Sequence, residues 1–212
     1  WFFKHVEMGI ILEDDCLPSN SFFKFCLELL DQYAKDTRVM HIGGCNHGFE
    51  DPASSYYFSQ LPHVWGWATW KRAWKHFDLR MASWHEFVKG NYINSIFKDN
   101  WECQRRLNDW SRTAEKKIDC WGYQWSYAVA TNGGLSVLPG LNLIQNIGFH
   151  SEATHTTRAI SNESNLIVHD LQFPLIHPKF VIPNHKLDEL YSKKNMIIKP
   201  SFFRRSFLWI KR

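Results

Sequence analysis

A short apolar run that ends in three acidic residues is the feature that most constrains the fold of this chain. Gly9–Leu12 is continuous and apolar, and Glu13–Asp15 follows it directly. An apolar run of this length without polar alternation predicts a strand that is buried on both faces, as in a parallel sheet. Acidic side chains after such a strand lie at its carboxyl end, which is where α/β folds bind their ligands.

The following segment predicts a helix and then a second strand. Ser19 or Ser21 could cap the start of the helix. Its apolar face is indicated by residues that recur at helical spacing: Phe22, Cys26, Leu29, Leu30 and Tyr33. Arg38–Ile42 predicts the second strand. Strand, helix and strand in this order form a βαβ unit, so we expect the two strands to be parallel neighbours.

The remaining segments predict further strands and helices. Strands are expected at Tyr56–Phe58, Leu135–Leu138 and Leu141–Ile144. Helices are expected within residues 92–117, with a mostly polar exterior, and over Tyr123–Thr131, which ends in a glycine-rich C-cap. The pattern as a whole indicates an α/β fold.

Tryptophan is concentrated between residues 65 and 74. Trp67, Trp70 and Trp74 lie three and four apart, which predicts a helix that starts near Ala68 with these rings on its core side. Trp65 and Trp67 flank Gly66 in a predicted tight loop. Their rings could stack on a sugar, or they could be core residues.

Composition narrows the class of protein. The 212 residues are 44% apolar and 22% charged, which suits one globular domain. No apolar stretch approaches the roughly 18 to 20 residues of a membrane span, and no signal-peptide pattern is visible. Five scattered cysteines without a CxxC motif favour a reducing, cytoplasmic location. Because the chain begins at Trp1 within an amphipathic element, we expect it to be a piece of a longer product.

The charge of +4 is unevenly distributed. Residues 193–212 contain seven Lys and Arg and no acid, which leaves 18 basic against 21 acidic residues in the body. A mildly acidic body argues against a nucleic-acid-binding domain. The tail, residues 191–212, mixes basic and aromatic residues, which favours peripheral contact with an anionic membrane; a frayed terminus or a subunit contact is the alternative.

Polar residues in three loops are candidates for a site. The carboxylates of Glu13, Asp14 and Asp15 could bind Mg²⁺ or Mn²⁺ and so offset the charge of a diphosphate leaving group, or they could form an acidic turn before a helix. Asn46 could contact substrate or stabilise a turn. His155, like His150, could complete a metal shell or contact phosphate, or be a solvated loop residue.

Taken together, these segments resemble the nucleotide-diphospho-sugar transferases of the GT-A fold, in particular a bacterial group related to the N-acetylglucosaminyltransferase that starts complex N-glycans. The resemblance covers residues 1 to about 185 and rests on the following segments: Gly9–Cys16, Phe22–Phe23, Ser59–Trp70, Trp121–Trp125, Asn146–Phe149 and Ala153–Thr156. It implies a mixed sheet flanked by helices, with residues 1–190 as the catalytic domain.

The resemblance also implies roles for single residues. Asp15 would bind the metal directly, Asp14 would lie near the ribose or the metal-bound waters, and Glu13 near the donor sugar. Gly66 and Trp67 would form the wall where donor and acceptor meet. His155 would lie in a loop that closes over the nucleotide and could join the metal shell.

Two features depart from the family pattern. Related sequences often carry an aspartate before Tyr-Gln-Trp, where this chain has Gly122. If that acid is the general base, its role would pass to a neighbour such as Asp119. The first nucleotide-binding strands, which precede the acidic motif in this fold, are also lacking, so this fragment could be inactive alone.

The expected function is therefore metal-assisted transfer of a sugar from a nucleotide-diphosphate donor to a glycan or lipid-linked acceptor, in the cytoplasm or at the inner face of a membrane. Two alternatives remain at this point. A non-catalytic carbohydrate-binding module would use exposed tryptophans and no metal. A metal-dependent nucleotidyl- or phosphotransferase would use the same carboxylates.

Overall fold

A computed structural model describes residues 1–51, 53–148 and 166–196 of the chain. The strands within these ranges are β1 (Met8–Ile11), β2 (Cys16–Pro18), β3 (Val39–Gly43), β4 (Tyr56–Ser59), β5 (Trp67–Trp70), β6 (Leu135–Pro139) and β7 (Ile144–Asn146). The α-helices of the described residues are α1 (Phe22–Gln32), α2 (Lys71–Trp74), α3 (Trp84–Lys89), α4 (Ile93–Ile96), α5 (Asn100–Ala114), α6 (Trp121–Thr131) and α7 (His185–Met196).

Five strands form a mixed sheet in the order β1-β5-β3-β6-β4. β3 and β6 are parallel, and every other neighbouring pair in this sheet is antiparallel. β2 and β7 form a separate antiparallel ribbon. With helices on both sides of the sheet, the chain is a mixed α/β protein, as the sequence predicts.

The prediction that the first two long strands are neighbours is wrong. β5 lies between β1 and β3 and is antiparallel to both. β1 is instead an edge strand that is only partly buried, with Met8 exposed, so the prediction of a strand buried on both faces is also wrong. The interior position belongs to β5, whose four residues are all buried.

The predicted helix near Ala68 is in fact strand β5 followed by the short helix α2. Ala68 and Trp70 pack on the α1 side of the sheet, whereas Trp67 packs on the α6 side. Because apolar residues cover both faces, the alternation that identifies a strand disappears from the sequence, and the tryptophan spacing imitates a helix.

Helix α1 matches its prediction in extent and in its buried face. Of the two predicted serine caps, Ser21 occupies the N-cap position, but its side chain makes no capping hydrogen bond. Ser21 Oγ accepts a hydrogen bond from the Leu171 N–H at 2.9 Å, and the Ser21 N–H donates to Asp170 at 3.0 Å. The start of α1 is therefore tied to a segment that lies 150 residues later in the chain.

The carboxyl-terminal helix α7 packs against β4. Asp188 accepts hydrogen bonds from the Ser59 hydroxyl at 2.5 Å and from the Gln60 N–H at 3.0 Å. The helix continues past residue 191, the predicted first residue of the tail. No helix in the described ranges is long and apolar enough to cross a membrane.

Candidate functional site

The acidic motif lies in the loop between β1 and β2. One ligand atom from each of Glu13, Asp15 and Cys16 lies within 4.8 Å of the others. Glu13 and Asp15 are half-buried, whereas Asp14 is exposed. The side chains of Glu13 and Asp15 therefore converge, whereas that of Asp14 is exposed to solvent.

The position of Asp15 is set by the β2–β7 ribbon. Cys16 pairs with Asn146 in this ribbon, and the Ile147 N–H donates to the Asp15 carbonyl at 2.8 Å. The Asn146 side-chain amide donates to Asp15 Oδ2 at 3.2 Å, and its own Oδ1 accepts from the Gly148 N–H at 2.7 Å. The carboxylate is thus oriented by residues far away in sequence.

The donor set of this loop fits a hard divalent cation. Burial, followed by the charges of Asp15 and Glu13, raises the pKa of the Cys16 thiol to about 12, so the sulfur stays protonated at neutral pH. Two carboxylates then remain as ligands. Mg²⁺ typically binds through one or two carboxylates and keeps several waters, and Mn²⁺ also prefers oxygen ligands.

A cavity of about 300 Å³ opens between the 62–65 segment, α5, the start of α6, and α7. Its walls combine aromatic, basic and small side chains: His47, Pro62, His63, Val64, Trp65, Arg105, Arg106, Asp109, Cys120, Gly122, Tyr123, Ser126 and Tyr191. A pocket of this size is near the lower end of the range for small-molecule sites.

The acidic loop and the cavity are neighbours. Burial raises the pKa of the Cys120 thiol in the cavity wall, and the charge of Glu13 contributes to that increase. A Cβ atom placed on Gly66 would meet Leu12, the residue before the acidic motif, at 3.1 Å. Gly66 in turn separates Trp65 in the cavity wall from Trp67.

A buried charge network forms the α5 side of the cavity. Glu102 is 4% exposed, and its Oε1 accepts from Arg106 Nε at 2.6 Å. Arg105 Nε lies 3.6 Å from the other oxygen of Glu102, and its guanidinium lies over the Tyr191 ring. The prediction of a mostly polar exterior is confirmed for α5, whose exposed residues are Asn100, Gln104, Asn108 and Arg112, but the inward-facing charges of Glu102 and Arg106 were not predicted.

Asp109 also belongs to this face of α5 and lines the cavity. Burial raises the pKa of its carboxyl group, against the opposing effect of Arg106 and Arg105. The Asn108 side-chain amide donates to Asp109 Oδ1 at 3.2 Å. Sequence reasoning missed this residue, although Glu102, Arg106 and Asp109 at spacings of four and three predict one shared helix face.

Aromatic rings cover another side of the cavity. The ring centroid of His63 lies 4.4 Å from that of His47 and 4.5 Å from that of Tyr191. His47 in turn lies 5.0 Å from Trp65. Tyr191 was not a sequence-based candidate, since its place in the cavity depends on the docking of α7.

Gly66 occupies the predicted tight loop between the two tryptophans. Its φ is +57°, a backbone conformation that favours glycine, and its carbonyl accepts from the Gly44 N–H at 2.7 Å. A side chain at this position would also overlap with Ile144. Gly66 therefore allows the 62–65 segment to approach both the acidic loop and the ribbon.

The other two predicted donor-binding residues have structural partners. Trp67 is 1% exposed, and its ring stacks on His41 and on Trp121 in the core. The Asn46 side chain is fully buried; its amide donates to the carbonyls of Pro139 and Gly140, and its oxygen accepts from the Gly48 N–H. Their contact with a donor stays a prediction that this burial does not favour.

The predicted base Asp119 is exposed and does not line the cavity. His155 and His150 lie outside the described residues, as does the tail from residue 197 onward. The structure thus brings Glu13, Asp15 and Gly66 near one cavity, whereas Asp119, which precedes Cys120 of the cavity wall, is exposed and does not itself line the cavity.

No protein-family model and no curated protein matches the chain.

Proposed function

We propose that this chain is part of a metal-dependent glycosyltransferase of the GT-A type, which moves a sugar from a nucleotide-diphosphate donor to a glycan or lipid-linked acceptor. The observation that carries the proposal is the convergence of the Glu13 and Asp15 carboxylates at the end of β1, beside a cavity of about 300 Å³. Paired carboxylates next to a concave site are what metal-assisted transfer from a diphosphate requires.

Asp15 would hold Mn²⁺ or Mg²⁺, in an orientation set by Asn146, and Glu13 would lie toward the sugar. When bound, such a cation offsets the negative charge that develops on the departing diphosphate. His155 remains a proposed further ligand, and Asp14, which is exposed, would contact the ribose or the metal-bound waters.

The cavity would bind the acceptor. Tyr123, Tyr191 and Trp65 offer aromatic faces of the kind on which sugar rings stack, and the neighbouring polar groups can bind hydroxyls. The opposite charges of Glu102 and Arg106 largely cancel, so the site suits a neutral glycan portion.

The topology supports the GT-A part of the proposal in one respect. β1, which leads into the acidic loop, is an edge strand, and no strand among the described residues pairs with its outer edge. Nucleotide-binding strands that precede the acidic motif would find unpaired backbone groups there. We further propose that the protein works in the cytoplasm, and that its basic tail lies on an anionic membrane.

The alternative to an enzyme is a non-catalytic carbohydrate-binding module that uses exposed tryptophans. Trp67, Trp70, Trp110 and Trp125 are all buried, which leaves fewer rings available as stacking platforms. The nucleotidyltransferase alternative uses the same carboxylates and must be separated by its products.

The test is an assay of the full-length protein against a panel of nucleotide-diphosphate sugars with Mn²⁺. We expect release of the intact nucleoside diphosphate that stops with EDTA and with Asp15→Ala. An Asp31→Ala variant serves as the control, because Asp31 is an exposed carboxylate on α1. Release of pyrophosphate or a nucleoside monophosphate, or sugar binding that ignores EDTA, would contradict the proposal.

A further inference from the structure

We propose that Asp109 is the general base that activates the acceptor hydroxyl in an inverting single displacement. The inference rests on the proposed function. The acceptor hydroxyl would give its proton to the Asp109 carboxylate, and its oxygen would bond to the anomeric carbon of the donor. The bond from that carbon to the diphosphate breaks, and the diphosphate leaves with the electron pair. The proton then passes from Asp109 to water.

The assignment of Asp109 as the base rests on which side chains line the cavity. Asp109 is the one carboxylate among the described residues that line the cavity. Gly122 lines the same cavity, but glycine has no side chain that could accept a proton. Asp119, which is nearer in sequence to Gly122, is exposed and lies outside the wall.

The surroundings of Asp109 act on its proton affinity in two opposite ways. Burial raises the pKa of its carboxyl group, and the neighbouring guanidinium groups of Arg106 and Arg105 limit that increase. A general base is most effective when it is ionised yet retains proton affinity. Asn108 fixes one carboxylate oxygen through its 3.2 Å hydrogen bond.

Three other titratable groups in or behind the cavity wall, His63, Tyr123 and Glu102, are less suited to this role. His63 Nδ1 donates to the Cys45 carbonyl at 3.1 Å, its Nε2 is shielded from solvent, and burial holds its pKa well below the ordinary value. The phenol of Tyr123 has a pKa raised to about 12 by burial and by the charge of Asp109, so it keeps its proton. The Glu102 carboxylate forms an ion pair with Arg106, so it is not available as a base.

The first test compares Asp109→Asn with Asp119→Asn in the full-length protein. Asn keeps the shape of the side chain and removes the base. We expect Asp109→Asn to lower kcat by about 10²- to 10⁴-fold, and Asp119→Asn to stay within about threefold of wild type, a margin small beside the effect of losing a base. Mn²⁺ affinity, measured by electron paramagnetic resonance, should be unchanged in both variants.

Two further readouts separate a base from a structural residue. In Asp109→Ala, added sodium formate should restore part of the turnover, because a small carboxylate can enter the space that the side chain leaves. The product should have inverted anomeric configuration by NMR.

The outcomes are distinct. If the wild-type protein transfers sugar, three results would each overturn the base assignment and leave the transferase proposal intact. These are an unchanged kcat in Asp109→Asn, a product with retained anomeric configuration, and a loss of activity in Asp109→Ala that formate does not restore. Absence of metal-dependent transfer by the wild-type protein would overturn both.

Discussion

The Asn146 side-chain amide donates a hydrogen bond of 3.2 Å to Oδ2 of Asp15, across 131 residues of sequence. The contact links β7 to the residue that directly precedes β2, and it orients the carboxylate that we propose as the metal ligand. Loss of a group that hydrogen-bonds to a metal ligand typically lowers metal affinity by about 10- to 100-fold.

Replacing Asn146 by alanine should therefore weaken Mn²⁺ binding by about 10- to 100-fold, because Asp15 loses the group that orients it. The measurement is titration with Mn²⁺ followed by electron paramagnetic resonance. Gln145→Ala, in the same strand, is the control and should bind normally. Equal affinities for the two variants would show that the Asn146 contact does not matter.

Gly148→Ala should weaken Mn²⁺ binding to a similar extent. A Cβ atom at position 148 would overlap with the Asp15 carboxylate and lie 3.1 Å from Asn146 Oδ1, so the carboxylate must move. Gly122→Ala is a matched control, since the nearest atom to its new Cβ would be a Val64 methyl group at 3.3 Å. Normal Mn²⁺ affinity in Gly148→Ala would contradict the geometry of the loop.

Glu102→Ala should lower the free energy of unfolding by about 3 to 5 kcal/mol, because it leaves the buried Arg106 without its partner. Urea unfolding followed by tryptophan fluorescence measures the effect. Glu115→Ala, which removes an exposed carboxylate near the end of the same helix, should change stability little. A small effect for Glu102→Ala would mean that water reaches the network.

His41 should make the fold sensitive to acid. Its Nδ1 accepts from Trp125 Nε1 and its Nε2 donates to the His63 carbonyl, and complete burial lowers its pKa to about 3. Because the folded-state pKa lies below the unfolded one, the stabilising contribution is complete above about pH 6.5 and falls as the pH drops toward 3. The loss approaches about 1.4 kcal/mol per pH unit.

Urea unfolding of wild type and His41→Gln at several pH values between 7 and 4.5 checks this expectation. The variant should lose stability less steeply with falling pH, whatever its stability at pH 7. Parallel curves would show that His41 is not the group that titrates.

Deletion of residues 199–212 should abolish sedimentation of the protein with anionic vesicles, because it removes five basic residues and the aromatic residues among them. Neutral vesicles provide the control for apolar adsorption. Unchanged sedimentation after deletion would favour the alternative of a frayed terminus or a subunit contact.

The sequence was sufficient for elements with a one-sided apolar pattern. Helix α1 buries the face that its spacing predicts. The end of α6 was instead predicted from its glycine-rich C-cap, where Gly133 adopts a φ of +63°. The same reasoning from apolar spacing gave the wrong structure for β5, because a strand that is covered on both faces does not alternate between apolar and polar residues. The order of strands also could not be read from periodicity, since pairing between β1 and β5 depends on which surfaces remain to be buried.

The candidate site was predicted only in part, for a related reason. Glu13 and Asp15 follow a recognisable strand and could be found from local pattern. Asn146, Tyr191 and Asp109 reach their places through the β2–β7 ribbon, the docking of α7 and an inward-facing charged side of α5. Contacts of that kind join distant segments, and a single sequence carries little trace of them.

The most direct test of the account is a Mn²⁺ titration of the purified protein by electron paramagnetic resonance, with and without a nucleoside diphosphate. We predict Mn²⁺ binding that tightens with the diphosphate, is lost in Asp15→Asn and persists in Asp31→Asn. Wild-type protein that binds no Mn²⁺, or binds it equally well after Asp15→Asn, would contradict the claim that this carboxylate holds the catalytic metal.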